Sequence, residues 1–132
     1  MQENLLILDE DKECRKQMAQ MFTRAGYHVK TTNSVTSAMC DVLKKTVQVV
    51  LLGGTFDDLS AVDLVPVLKL CNNKLRIILV AAESSLPLIR KLRKEGIFYH
   101  ALKPHNSEDR AEIRQAVACA FRDMDQMQVA YK

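Results

Sequence analysis

Val47-Gln48-Val49-Val50-Leu51-Leu52-Gly53-Gly54 is the stretch on which the fold turns. It is apolar, rich in β-branched residues and too short for a helix, and two glycines close it. It therefore reads as a strand buried on both faces at the centre of a sheet. Two further runs share its character. Leu5-Leu6-Ile7-Leu8 ends in Asp9-Glu10-Asp11, and Phe98-Tyr99-His100-Ala101-Leu102 ends in Lys103-Pro104. The outer two runs end in charge, whereas the central one ends in a residue with no side chain.

Working outward, residues 27–32 alternate Tyr27 and Val29 against His28 and Lys30, as at a half-exposed sheet edge, and residues 77–82 form a fourth strand in sequence order. Helical spacing fills the gaps. Asp11 caps a first helix carrying Cys14, Met18, Met21, Phe22 and Ala25, which Gly26 stops. Asn33 or Ser34 caps a second, with Val35, Ala38, Met39, Val42 and Leu43 on its buried face and Lys44 and Lys45 at its C-terminal end. Ser60 caps a third through Val62, Val65, Leu68 and Leu70. Its interior Pro66, which costs ~3 kcal/mol in a regular helix, predicts a kink or a late start. Ser84 or Ser85 caps a fourth through Leu86, Ile89 and Leu92 to Gly96, with Pro87 tolerable in the first turn. Asn106 or Ser107 caps the last, through Ile113, Val117, Ala120 and Phe121.

Five strands alternating with five helices predict an α/β domain: a doubly wound, five-stranded parallel sheet of order 2-1-3-4-5 with helices on both faces. Such a sheet works at the carboxyl ends of its strands, where the order reverses. That edge gathers Asp9, Glu10, Gly53, Ala81 and Lys103. The expected domain covers residues 1–121, with 122–132 as a C-terminal helix extension or linker.

A chain of 132 residues with 48% apolar content suits a single core. A formal charge of +3, without a block of like charges, does not call for nucleic acid, and no helix-turn-helix follows the last helix. No run approaches the roughly 18 to 20 apolar residues of a membrane span, and no basic region precedes the first apolar run, so a cytoplasmic protein is expected. Cys14, Cys40, Cys71 and Cys119 show no paired spacing for zinc and read as reduced core thiols.

In order and spacing, the three charged or glycine-ended strands resemble the response regulator receiver family, of flavodoxin- or CheY-like fold, over residues 4 to about 121. The resemblance places Asp9 and Glu10 at the family's Mg²⁺-binding acids, and Lys103 at the lysine that contacts phosphoryl oxygens. Pro104 stands at a proline that is usually cis. It also exposes departures. Gly53 stands at the phosphoacceptor aspartate, Ala81 at the switch hydroxyl and His100 at the switch aromatic, while Tyr99 faces the other side of the strand. An acyl phosphate needs a carboxylate nucleophile, and glycine has none.

The leading expectation is therefore a degenerate receiver, a pseudo-receiver that signals through phosphorylation-independent protein contacts and is not an enzyme. It carries no resident cofactor beyond a weak Mg²⁺ site at Asp9 and Glu10, acids that also suit a helix N-terminus. Two alternatives stay open. Asp57 or Asp58 serves as a displaced acceptor with Mg²⁺, or else both are solvated turn acids. Alternatively, Gly53-Gly54 lets a small molecule or nucleotide approach the strand ends. His100 is either a titrating switch or a packed ring, and His28 and His105 have no assigned role. Arg90, Lys91, Arg93 and Lys94 form either a solvated face or a partner surface. In receivers the fourth helix, fifth strand and fifth helix commonly contact partners, so the occupant is an acidic signalling protein, the chain's own output domain, or a second copy forming a homodimer.

Overall fold

Leu5, Leu6, Ile7 and Leu8 are all buried, because the strand they form, β1 (Asn4–Leu8), has a neighbour on each edge and helices over both faces. The computed structural model describes residues 2–53, 55–56, 59–81 and 86–130. After β1 come α1 (Lys12–Arg24), β2 (His28–Thr32), α2 (Val35–Leu43) and β3 (Val49–Gly53). A short antiparallel pair follows, β4 (Thr55–Phe56) with β5 (Leu59–Ser60), and then α3 (Ala61–Cys71), β6 (Arg76–Ala81), α4 (Leu86–Glu95), β7 (Tyr99–Leu102) and α5 (Ser107–Ala130). The main sheet is wholly parallel, in the order β2-β1-β3-β6-β7. Its five strands, numbered among themselves, therefore run 2-1-3-4-5, and the glycine-ended run lies at the centre.

Strand alternation divides the interior in two. Leu6, Leu8, Val50, Leu52, Ile77 and Leu79 point to one side, where they meet Ala38 and Val42 of α2, Leu64, Val65 and Leu68 of α3, and Leu92 of α4. Leu5, Ile7, Val49, Leu51, Ile78 and Val80 point to the other, against Met18 and Phe22 of α1 and Ile113, Val117, Ala120 and Phe121 of α5.

The helix ends follow side-chain chemistry. The Cys14 N–H donates to Asp11 Oδ1 at 3.1 Å, and Gly26, at φ +97°, lets the chain leave α1 in the left-handed region. Of the paired cap candidates, Ser34 accepts from the Ser37 N–H at 3.2 Å and Asn106 from the Asp109 N–H at 2.9 Å. Ser84 and Ser85 lie outside the described residues.

Gly53 closes the central strand as its last residue, buried and in register with Val80. Several other expectations need correction. The β4–β5 pair was not foreseen. Helix α3 starts at Ala61, five residues before Pro66, so there is no late start. Leu43 is 63% exposed, because it closes α2 beyond the reach of the core, and the inward position on that helix goes to Asp41, whose carboxylate pairs with Lys30 at 2.8 Å. The cysteines are free thiols but none is a core residue: Cys40 is exposed and the other three are half-buried.

Candidate functional site

The carboxyl edge of the sheet is built around the turn from β1 into α1. The Asp9 N–H donates to the Thr32 carbonyl at 3.2 Å, extending the β1–β2 ladder by one bond, while the Asp9 carbonyl accepts from Arg15 Nη1 at 2.7 Å. Its side chain is nearly buried, and Oδ1 accepts from the Asp11 N–H at 2.9 Å. The carboxylate is thus held by its own turn.

Strand β3 runs beside β1 with Leu8 opposite Leu52, which puts Gly53 next to Asp9. A β-carbon added to Gly53 would lie 2.9 Å from Asp9 Oδ1 and 3.0 Å from Asp9 Cγ. The Asp9 carboxylate therefore occupies the space in which a side chain at residue 53 would begin.

Asp11 does two things. Oδ1 caps α1, and Oδ2 meets Lys103 Nζ at 3.3 Å. The cap N–H and Lys103 together hold the Asp11 carboxyl below the usual carboxylate range. At Lys103, partial desolvation works against the ammonium, but the charge of Asp9 and the contact with Asp11 outweigh it and raise its pKa above the ordinary lysine value. Beside them, burial and the Asp9 charge push the Cys14 thiol up to about 11, so it stays protonated and is a poor nucleophile. The sequence reading missed the Asp11–Lys103 contact. Its only signal was a third acid following Asp9-Glu10.

The remaining candidates fall around this cluster. Glu10 is exposed on the turn. Ala81 is buried at the end of β6, paired with Leu102, and its carbonyl accepts from the Lys103 N–H at 3.0 Å. The described residues contain no cis peptide bond, so Lys103–Pro104 is trans, contrary to the family expectation. Tyr99 and His100 point to opposite sides of β7. The Tyr99 hydroxyl donates to Glu112 of α5 at 3.2 Å, while His100 feels the positive charge of Arg93 of α4. Burial first, then Arg93, lowers the His100 pKa against the opposing pull of Glu112, and His100 Nε2 is buried without a hydrogen-bond partner. Arg90, Lys91, Arg93 and Lys94 are exposed along α4 around the fully buried Leu92. Gly54, Asp57 and Asp58 lie outside the described residues.

Asp9 already accepts a backbone N–H and lies over Gly53, and Asp11 is shared between a helix cap and Lys103. Among the described residues, no three His, Cys, Asp or Glu side chains come together as a metal-binding group. Residue 53 offers a phosphoryl donor no nucleophile, and residue 81 offers no hydroxyl.

Fold and site edge together define a signalling module of the two-component type. The response regulator receiver domain model matches residues 5–129, and the chain belongs to that family. It is 26% identical over 117 residues to sporulation initiation phosphotransferase F of Bacillus subtilis (strain 168), covering 89% of this chain and 92% of that one. It is 25% identical over 109 residues to the DNA-binding transcriptional regulator NtrC of Azospirillum brasilense, covering 83% of this chain but only 23% of that protein's length. The beryllofluoride-activated NtrC4 receiver domain dimer superposes with a TM-score of 0.81 at 18% identity, covering 92% of this chain and 98% of that one. Among the described residues, no helix is long and apolar enough to cross a membrane.

Proposed function

We propose that this domain is a pseudo-receiver, which signals by phosphorylation-independent protein contact and is neither an enzyme nor dependent on a bound metal. The observation that carries the reading is the Asp9 carboxylate lying over Gly53, 2.9 Å from where a β-carbon would be. The carboxylate takes the space in which a side chain at residue 53 would begin, and Asp11 engages the lysine that would otherwise meet the phosphoryl group. A partner then takes the place of phosphate in shifting any conformational equilibrium, through its differential affinity for the two states.

The surface proposed for that partner is α4, β7 and α5. Arg90, Lys91, Arg93 and Lys94 supply positive charge on α4, and Tyr99 and Leu102, 39% and 55% exposed, supply apolar area on the edge strand β7. An acidic signalling protein, an output domain or a second copy of the chain fits this face, and the dimeric NtrC4 receiver supports the last of these. Free thiols suit a reducing compartment, which supports a cytoplasmic site of action.

The test is intact mass after incubation with Mg²⁺ and a small phosphodonor. The expected result is an unmodified chain. A hydroxylamine-labile phosphoryl adduct would overturn the reading, and peptide mapping of that adduct to Asp57 or Asp58 would establish a displaced acceptor instead.

A further inference from the structure

Helices α1 and α5 lie side by side on the face of the sheet opposite α4, and between them runs an open groove of about 540 Å³. Gln17, Gln20 and Arg24 recur on α1 at spacings of three and four residues, and so do Ser107, Arg110 and Arg114 on α5, so each trio forms a stripe along one helix face. With a rise of 1.5 Å per residue, each stripe extends about 10 Å. Among the described residues, three guanidinium groups line the groove and no carboxylate does. Two of the acids of α5 are engaged elsewhere. Asp109 accepts from the His105 N–H at 3.0 Å, and Glu112 accepts from the Tyr99 hydroxyl.

We propose that the α1–α5 groove is a docking site for an acidic segment of a protein partner, its carboxylates bound by Arg24, Arg110 and Arg114. Charge complementarity selects the occupant. Guanidinium forks bind carboxylates in bidentate geometry, and three of them around one concavity repel one another until an anion enters. Shape narrows the choice further. The groove is open, and among the described residues no aromatic side chain lines it, so it gives a nucleotide base nothing to stack on but suits an extended or helical chain. The amides of Gln17 and Gln20 and the Ser107 hydroxyl add hydrogen bonds along the same line. This site is separate from the α4 face and does not depend on the state of Gly53.

Fluorescence anisotropy with a labelled oligoglutamate peptide tests the proposal, with inorganic phosphate and a short DNA duplex as competitors. The full chain should bind the peptide, more weakly as salt rises. Arg110→Glu combined with Arg114→Glu should weaken binding by roughly tenfold or more, as expected for two arginine anchors. Lys44→Glu with Lys74→Glu makes the same charge change on exposed positions away from the groove and should leave binding within about twofold. Circular dichroism checks the fold of each variant, and Arg110→Gln with Arg114→Gln repeats the test without reversing charge. Equal losses in the groove and control variants, no loss in the groove variants, or tighter binding of phosphate or DNA than of peptide would each overturn the proposal.

Discussion

The cost of placing one methyl group on Gly53 is set by Asp9. The added carbon would approach Oδ1 to 2.9 Å, and the carboxylate can retreat only by giving up the N–H of Asp11. Gly53→Ala is therefore expected to destabilise the domain by about 1–2 kcal/mol in urea unfolding. The penalty should shrink in an Asp9→Ala background, and strictly additive losses in that double-mutant cycle would contradict the contact. His100 gives a second prediction at this scale. Its pKa lies below the ordinary 6.5, so between the two values the unfolded chain binds more protons than the folded one. Its contribution to stability is present above pH 6.5 and is lost as pH falls through the lowered folded value. His100→Phe removes both this titration and the unpartnered Nε2. The variant should be more stable than the parent by about 1 kcal/mol at neutral pH, with a wider gap near pH 5.5, as measured by thermal or urea unfolding at each pH.

Among the elements, two helix ends decide between competing effects. Asp11 both caps α1 and meets Lys103, and the cap is the larger of the two because the ion pair is partly solvated. Asp11→Ala should cost about 1 kcal/mol, whereas Asp11→Asn, which can still cap, should cost less than about 0.5 kcal/mol. The carboxyl's lowered pKa makes its share of stability present above pH 3.8 and lost as pH falls through the folded value. After α2, Lys45 sits at φ 60°, a conformation that glycine adopts freely, so Lys45→Gly should stabilise the domain by about 1 kcal/mol in urea unfolding. The sheet strands and most caps were legible in sequence, because each is written in a local pattern: Leu5–Leu8 and Val49–Leu52 as unbroken apolar runs, Ser34 and Asn106 as capping side chains. The β4–β5 pair was not, since two residues per strand leave no period to read. Nor was the Asp11–Lys103 contact, whose partners lie 92 residues apart. A glycine in the sequence reports a missing side chain, but it does not say which neighbour moves into the space.

Across the whole molecule, the last helix ties the chain together beyond its core positions. Arg76 at the start of β6 pairs with Asp123 at 2.8 Å, and Met124 packs against the α1–α5 core, both past Phe121. Removing residues 122–132 should lower the unfolding free energy by about 1–2 kcal/mol, measured in urea against the 132-residue chain. Arg76 keeps its bond to the Lys74 carbonyl, which limits the loss. The central sheet has a further consequence. Because its residues alternate between two separate cores, the α4 face and the α1–α5 groove stand back to back with a layer of close-packed strands between them. A protein bound on α4 and one in the groove would bear on opposite sides of the same sheet, with α5 within reach of both, an arrangement that requires no chemistry at Gly53.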